Sequence, residues 1–195
     1  MTTPAPARSP KRDVDGIELP AAGVWRIDPG HADVSFVGRH LLFTKVRGRF
    51  RDVSGVIEVG EDPNATTVEV EIDMSSVQSG SDQRDEHLRS EELFDVDRHP
   101  TATFRGAASG WTGRTGKLAG NLTIKGVTKS VALDVEYHGF VRDPWGGDRI
   151  VFSASATIDR EDWGVTWNMP LDAGGLLVSK EIRIEIELEA IRDDT

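Results

Sequence analysis

The chain has 195 residues, enough for one domain with a real core, and its formal charge of −10 argues against nucleic acid as a partner, since phosphate binding is carried by clustered Lys and Arg. It contains no cysteine, which excludes disulfides, Cys-ligated zinc, iron–sulfur clusters and thiol catalysis. An apolar content of 37% suits a β-structure with one wet face, and no stretch approaches the ~20 apolar residues of a membrane span.

Residues 1–22 hold Pro4, Pro6, Pro10 and Pro20 and no apolar run. They read as a disordered N-terminal tail without the apolar core of a signal peptide, which makes a cytoplasmic location the expectation. From Gly23 the chain alternates. Trp25 and Ile27 oppose Val24, Arg26 and Asp28, and Pro29-Gly30 signals a turn. Ala32, Val34, Phe36 and Gly38 then share a face. Leu41-Leu42-Phe43 breaks the alternation and predicts a single helical turn, or a loop tucked over one end of a barrel. In the next segment Val46, Gly48 and Phe50 face away from Arg47, Arg49 and Arg51, a pattern that reads as a solvated strand face rather than an anion site. Residues 55–59 are its hairpin partner. The cleanest strand is 67–74, with Val68, Val70, Ile72 and Met74 inward and Glu69, Glu71 and Asp73 outward.

Residues 81–100 are different: dense in charge, without strand alternation, and closed by Pro100. Here a short helix is predicted over 83–94, N-capped by Asp82. Strands resume at 101–108, 117–124, 130–141 and 149–159, separated by turns at 110–116, 126–128 and 143–147. Residues 160–176 read as irregular. A last strand, 177–191, turns Ile182, Ile184, Ile186 and Leu188 inward, and 192–195 form a polar tail. The count is about eight to ten strands with one helix, the pattern of an antiparallel barrel or sandwich. Small inward residues (Gly38, Gly48, Ala102, Gly106, Gly120, Ala154, Ala156) either hollow such a barrel or bend its strands.

Six motifs then line up in order: Trp25-Arg-Ile-Asp-Pro-Gly-His31; Val34-Ser-Phe36 with Arg39-His40; Gly48-Arg-Phe50; Arg84-Asp-Glu-His-Leu88 with Leu93-Phe-Asp95 and Pro100; Gly120 to Thr128; and Asp159-Arg-Glu-Asp-Trp-Gly164. Over residues 23–191 this resembles the YceI-like family of lipocalin-like polyisoprenoid-binding proteins. The resemblance implies an all-β fold: an extended antiparallel eight-stranded lipocalin-like barrel with one short helix inserted between strands. It also implies an apolar tunnel for an isoprenoid or other long-chain lipid, and no catalysis. Leu93 stands where the family often has a second Phe, and Trp163-Gly-Val165 where it often has Phe-Gly-Met, so one end of the tunnel is expected to be narrower.

On this reading Arg39, His40, Arg84, Asp85 and His87 are candidates for the tunnel mouth, where Arg can hold a phosphate or carboxylate. Phe36, Phe43, Leu88, Phe94, Phe104, Phe152, Ala154 and Trp163 are candidates for its wall. A purely structural network for Arg84, Asp85 and His87 is the competing account. The alternative function is an enzyme or metal-dependent sensor on the same barrel. Against it, His31, His40, His87, His99 and His138 are dispersed without HxH or HExxH spacing, and no GxSxG is present. No cofactor is expected. Analogy with relatives alone would allow a homodimer.

Overall fold

The computed structural model describes residues 9–41, 43–171 and 175–193. Alternation builds the wall. In β6 (Thr67–Asp73) Val68, Val70 and Ile72 face the interior while Glu69 and Glu71 lie exposed in water. In β12 (Glu181–Arg192) Ile182, Ile184, Ile186 and Leu188 face inward. The same rule runs through β3 (Gly23–His40), β5 (Val53–Val59), β8 (Thr101–Thr112), β9 (Thr115–Ile124), β10 (Val127–Arg142) and β11 (Asp148–Asp159).

These eight strands pair in the order β3-β5-β6-β8-β9-β10-β11-β12, and β12 pairs back onto β3, so the sheet closes into an antiparallel barrel. Closure removes the exposed edges of an open sheet. The closing strand β3 is long because it changes partner. Residues 23–26 pair with β5, and residues 34–40 pair with β4 (Thr44–Phe50). A register shift opposite Leu188–Ala190 separates the halves and leaves residues 28–31 as a bulge. The short β7 (Val77–Gln78) pairs antiparallel with the end of β4 at Arg49 and Phe50.

Two expectations need correction. The helix, α1, spans Asp82–Arg89 rather than 83–94, and its N-cap is Ser81, whose Oγ accepts from the Arg84 N–H at 3.4 Å. It stops early because Ser90 is extended and Asp95 turns left-handed at φ 53°, which folds Phe94 back so that its N–H donates to the Leu88 carbonyl. Of the two alternatives at 41–43, the described residues fit the loop: Leu41 takes φ 52° in the β3–β4 connection and Phe43 is exposed, and Leu42 lies outside the described residues.

Residues 11–20 are not tail. They form a hairpin, β1 (Lys11–Val14) and β2 (Ile17–Pro20), which buries Leu19 against Trp25, Ile57, Val59 and Tyr137 at one end of the barrel. Its turn, Asp15-Gly16, has φ of 54° and 79°, as a two-residue type I′ connection requires. Residues 1–8 lie outside the described residues. At the other terminus Arg192 is still strand and the Asp193 N–H donates to Val24 O at 2.9 Å, while residues 194–195 are outside the described set.

Candidate functional site

The barrel is hollow. A cavity of about 530 Å³ runs from the β1–β2 hairpin to α1. That lies within the ~300–1,000 Å³ usual for small-molecule sites. Its wall is aliphatic and aromatic. Phe36, Phe50 and Phe94 form one aromatic cluster, with ring centroids 5.6 to 6.2 Å apart. Trp163 lies deeper, beside Phe104, Leu122 and Leu133, and its indole N–H donates to Leu122 O at 3.0 Å. Trp163 is placed by a 3-10 turn, Arg160–Trp163, which Gly164 ends at φ 73°.

Eleven of the thirteen candidates line this cavity: Phe36, Arg39, His40, Arg84, His87, Leu88, Phe94, Phe104, Phe152, Ala154 and Trp163. Phe43 does not. It is 83% exposed on the β3–β4 turn, because strand pairing continues to His40 and Thr44 and leaves the turn outside the wall. Asp85 does not either. It points back to its own helix entry, where it accepts from the Ser79 N–H at 2.7 Å and from the Ser79 hydroxyl. Arg84 donates to the same serine, from Nε to Oγ at 2.8 Å and from Nη2 to the carbonyl at 2.6 Å. Arg84 and Asp85 therefore pin α1 to the segment before it, and Arg84 also borders the cavity. His87 lies 2.8 Å from the Glu92 carboxylate and packs edge-on against Trp167 at 4.4 Å.

Several lining residues escape a reading of the sequence alone. Arg12, Leu19 and Pro20 come from the β1–β2 hairpin. Trp167, Leu177 and Val178 come from the segment after Gly164, which runs back along the end of β3, with Leu41 N donating to Leu177 O and Ser179 N to Arg39 O, each at 2.9 Å. Arg160 is the most distinctive. It is 7% exposed, donates to Ser179 O and Val165 O, and leaves Nη2 buried without a partner. Burial pushes its guanidinium pKa down, and Glu161 and Asp159 only partly offset this.

The charges on the wall have one sign. Arg12, Arg39, Arg84, Lys117 and Arg160 line the cavity with His40 and His87, and among the described residues no Asp or Glu does. The chain as a whole carries −10. The carboxylates are outside, in strand faces and ion pairs. One cluster, Asp28, His31 and Glu189, brings its ligand atoms within 4.8 Å of one another, the spacing of a metal site. The Arg149 guanidinium already occupies it, 2.5 Å from Asp28 and 2.9 Å from Glu189, with Asp143 on its other side at 2.9 Å. A cation is thus built into the cluster covalently.

The model of the YceI-like domain matches residues 25–190. The chain belongs to the YceI-like family. It is 37% identical over 163 residues to a UPF0312 protein of Pseudomonas paraeruginosa, covering 83% of this chain and 82% of that one. Among solved structures, a Campylobacter jejuni YceI protein superposes with a TM-score of 0.68 at 30% identity, over 80% of this chain and 90% of that one. A polyisoprenoid-binding domain from Saccharophagus degradans, implicated in plant cell wall breakdown, superposes at 0.63 with 18% identity, over 89% of this chain and 100% of that one. At that identity the likeness speaks for the fold. The YceI-like barrel, its inserted helix and its closure thus agree with what the motifs implied.

Proposed function

We propose that this YceI-like protein is a non-catalytic binding or carrier protein. It holds a long-chain amphiphile (a polyisoprenoid, quinone or similar lipid) in the barrel, with an acidic or hydrogen-bond-accepting head group against the basic lining. The observation that carries this reading is the wall itself: an apolar cavity of about 530 Å³ whose ionisable lining, among the described residues, is wholly Arg, Lys and His in an acidic chain. Each buried CH₂ contributes ~0.8 kcal/mol. Association costs roughly 4–15 kcal/mol, so a chain of about fifteen carbons or more is needed for tight retention from burial alone. The Saccharophagus domain's description as polyisoprenoid-binding supports the ligand class. The lack of a lining carboxylate among the described residues supports a binding role: of the two lining histidines His87 is held by Glu92, which leaves His40 as the one lining imidazole for acid–base chemistry, with no lining carboxylate to act as its counterpart.

The test is native mass spectrometry of the purified protein, followed by denaturing extraction and mass analysis of what is released. A stoichiometric long-chain species with an acidic or quinone head is expected. Protein that is empty on isolation and takes up neither added polyprenyl phosphate nor added quinone refutes the reading.

A further inference from the structure

The barrel rim on the α1 side exposes apolar side chains. Phe43 is 83% exposed, Met169 53%, Leu41 44% and Leu176 36%. They are neighbours. Leu41 N donates to Leu177 O and Leu177 N to Met169 O, each at 2.9 Å, and Pro170 bridges Leu176. Leu41 at the end of β3 and the described residues 169–171 and 175–178 therefore lie edge to edge. This rim is also the edge of the cavity, since Arg39, His40, Leu177 and Val178 line it. Elsewhere Trp145 and Val141 are exposed at the opposite end of the barrel, beside the hairpin end of the cavity, without such a strip.

The segment that carries Leu41 and Phe43 is one-sided in charge. From Arg39 to Arg51 the chain carries Arg39, Lys45, Arg47, Arg49 and Arg51 and no acidic residue, in a protein of net charge −10. Arg47 is engaged by Glu185 at 2.5 Å, and Arg49 lies 3.9 Å from Asp33. Lys45 is exposed and makes no ion pair among the described residues. An apolar tip flanked by cations is the pattern that lies down on anionic lipid: the apolar groups enter the acyl boundary and the cations sit among the head groups.

We propose that this rim docks on an anionic lipid bilayer, with Phe43, Leu41, Met169 and Leu176 in the interface and Lys45 among its phosphates. The docking claim stands on the rim alone. Its consequence, that an amphiphile exchanges between bilayer and cavity without crossing water, rests on the carrier reading above.

The test is flotation of the full chain with phosphatidylcholine vesicles, with and without phosphatidylglycerol. Binding is expected only to the phosphatidylglycerol vesicles, and it should weaken as salt screens the cations. Lys45→Glu should weaken it about thirty-fold, from a two-charge reversal near the surface, and Phe43→Ser about tenfold or more. Neither residue lines the cavity, so thermal unfolding and uptake of lipid added in detergent should match the wild type. Failure to float, equal binding to both vesicles, or variants that bind like the wild type overturn the proposal. So does a wild-type dimer that Phe43→Ser converts to monomer without vesicle binding, which assigns the rim to a second copy of the chain. If every sample floats as expected but none carries lipid, the docking stands and the carrier reading falls.

Discussion

Replacing Asp28 by Asn tests whether the ion cluster at the β3 bulge holds the barrel shut. Asp28 accepts from Gly30 N at 3.0 Å, lies 2.8 Å from His31 Nδ1 and takes Arg149 at 2.5 Å, and Arg149 also binds Asp143 and Glu189. The cluster thus ties the bulge of β3 to the β10–β11 loop and to β12, across the seam where the sheet closes. The Arg149 hydrogen bond, with His31 and the Gly30 N–H, outweighs burial and holds the Asp28 carboxyl at about 2, against an ordinary value near 3.8. That difference corresponds to at most about 2.5 kcal/mol of folding stability at ~1.36 kcal/mol per pH unit. His31 is 58% exposed, so solvent screening brings the expected contribution nearer 1–2 kcal/mol. The sign follows from the depressed pKa: the stabilisation is complete above the unfolded value and disappears as pH falls from about 4 to about 2. Asn keeps the shape and the acceptor for Gly30 but carries no charge. Urea unfolding at a series of pH values should show the variant less stable by about 1–2 kcal/mol at pH 7, converging on the wild type near pH 2. Equal stability at pH 7, or a gap that persists unchanged at pH 2, refutes the assignment.

Ala154 lies between Val135 and Ile186 in register, all three on the cavity wall, so Ala154→Trp should displace about five or more ligand carbons and weaken lipid retention ~10³-fold or more. Circular dichroism should show the fold intact, and an unchanged lipid load in the folded variant counts against this path for the chain. Asp85→Ala strips the acceptor from the Ser79 N–H and hydroxyl and should cost about 2–3 kcal/mol, read as a lower urea midpoint. A loss under about 0.5 kcal/mol would mean that the bond is replaced by water. Tyr137 buries its hydroxyl without a partner, and burial, reinforced by Glu18, pushes its pKa up to about 12. Tyr137→Phe should therefore be neutral or stabilising by up to about 1 kcal/mol at pH 7. It should also lessen the stability loss as pH rises from 10 to 12, where the unfolded phenol ionises and the native one resists. A destabilisation of more than about 1 kcal/mol at pH 7 would show that the hydroxyl is satisfied after all.

Strand faces were legible because alternation is local. Val68, Val70 and Ile72, and Ile182, Ile184 and Ile186, face the lumen as their period predicts. Val14-Asp-Gly-Ile17 carries the Asp-Gly signal of the hairpin at 11–20, but four prolines in residues 1–20 and the lack of an apolar run match a tail as well, and only the packing of Leu19 separates the two. An aromatic that closes an apolar triplet, as Phe43 does, reads alike in a wall and in an exposed turn, and only register separates them. Arg160 could not be found from its neighbours. Its site is made by Ser179 O and Val165 O, and the former is supplied by a segment nineteen residues further on. The sign of the lining charge is likewise a property of the closed barrel: Arg12, Lys117 and Arg160 meet only after closure.

The small inward residues hollow the barrel, with Gly38, Ala102 and Ala154 on the cavity wall, and some glycines do so by seating an aromatic ring. Phe36 and Gly48 are cross-strand partners, and a Cβ on Gly48 would lie 2.2 Å from the Phe36 ring. A Cβ on Gly106 would lie 2.8 Å from Phe104, and one on Gly116 would lie 2.3 Å from Trp111. In each case the glycine leaves a shallow recess in which an aromatic ring lies flat along the sheet, a packing known to stabilise glycines in strands. A ring lying along the wall covers backbone that would otherwise face the lumen and projects less into it than an upright ring. Glycine and aromatic thus act as a pair. Together they line the barrel with apolar surface while preserving its volume, which is what a cavity for a long apolar chain requires.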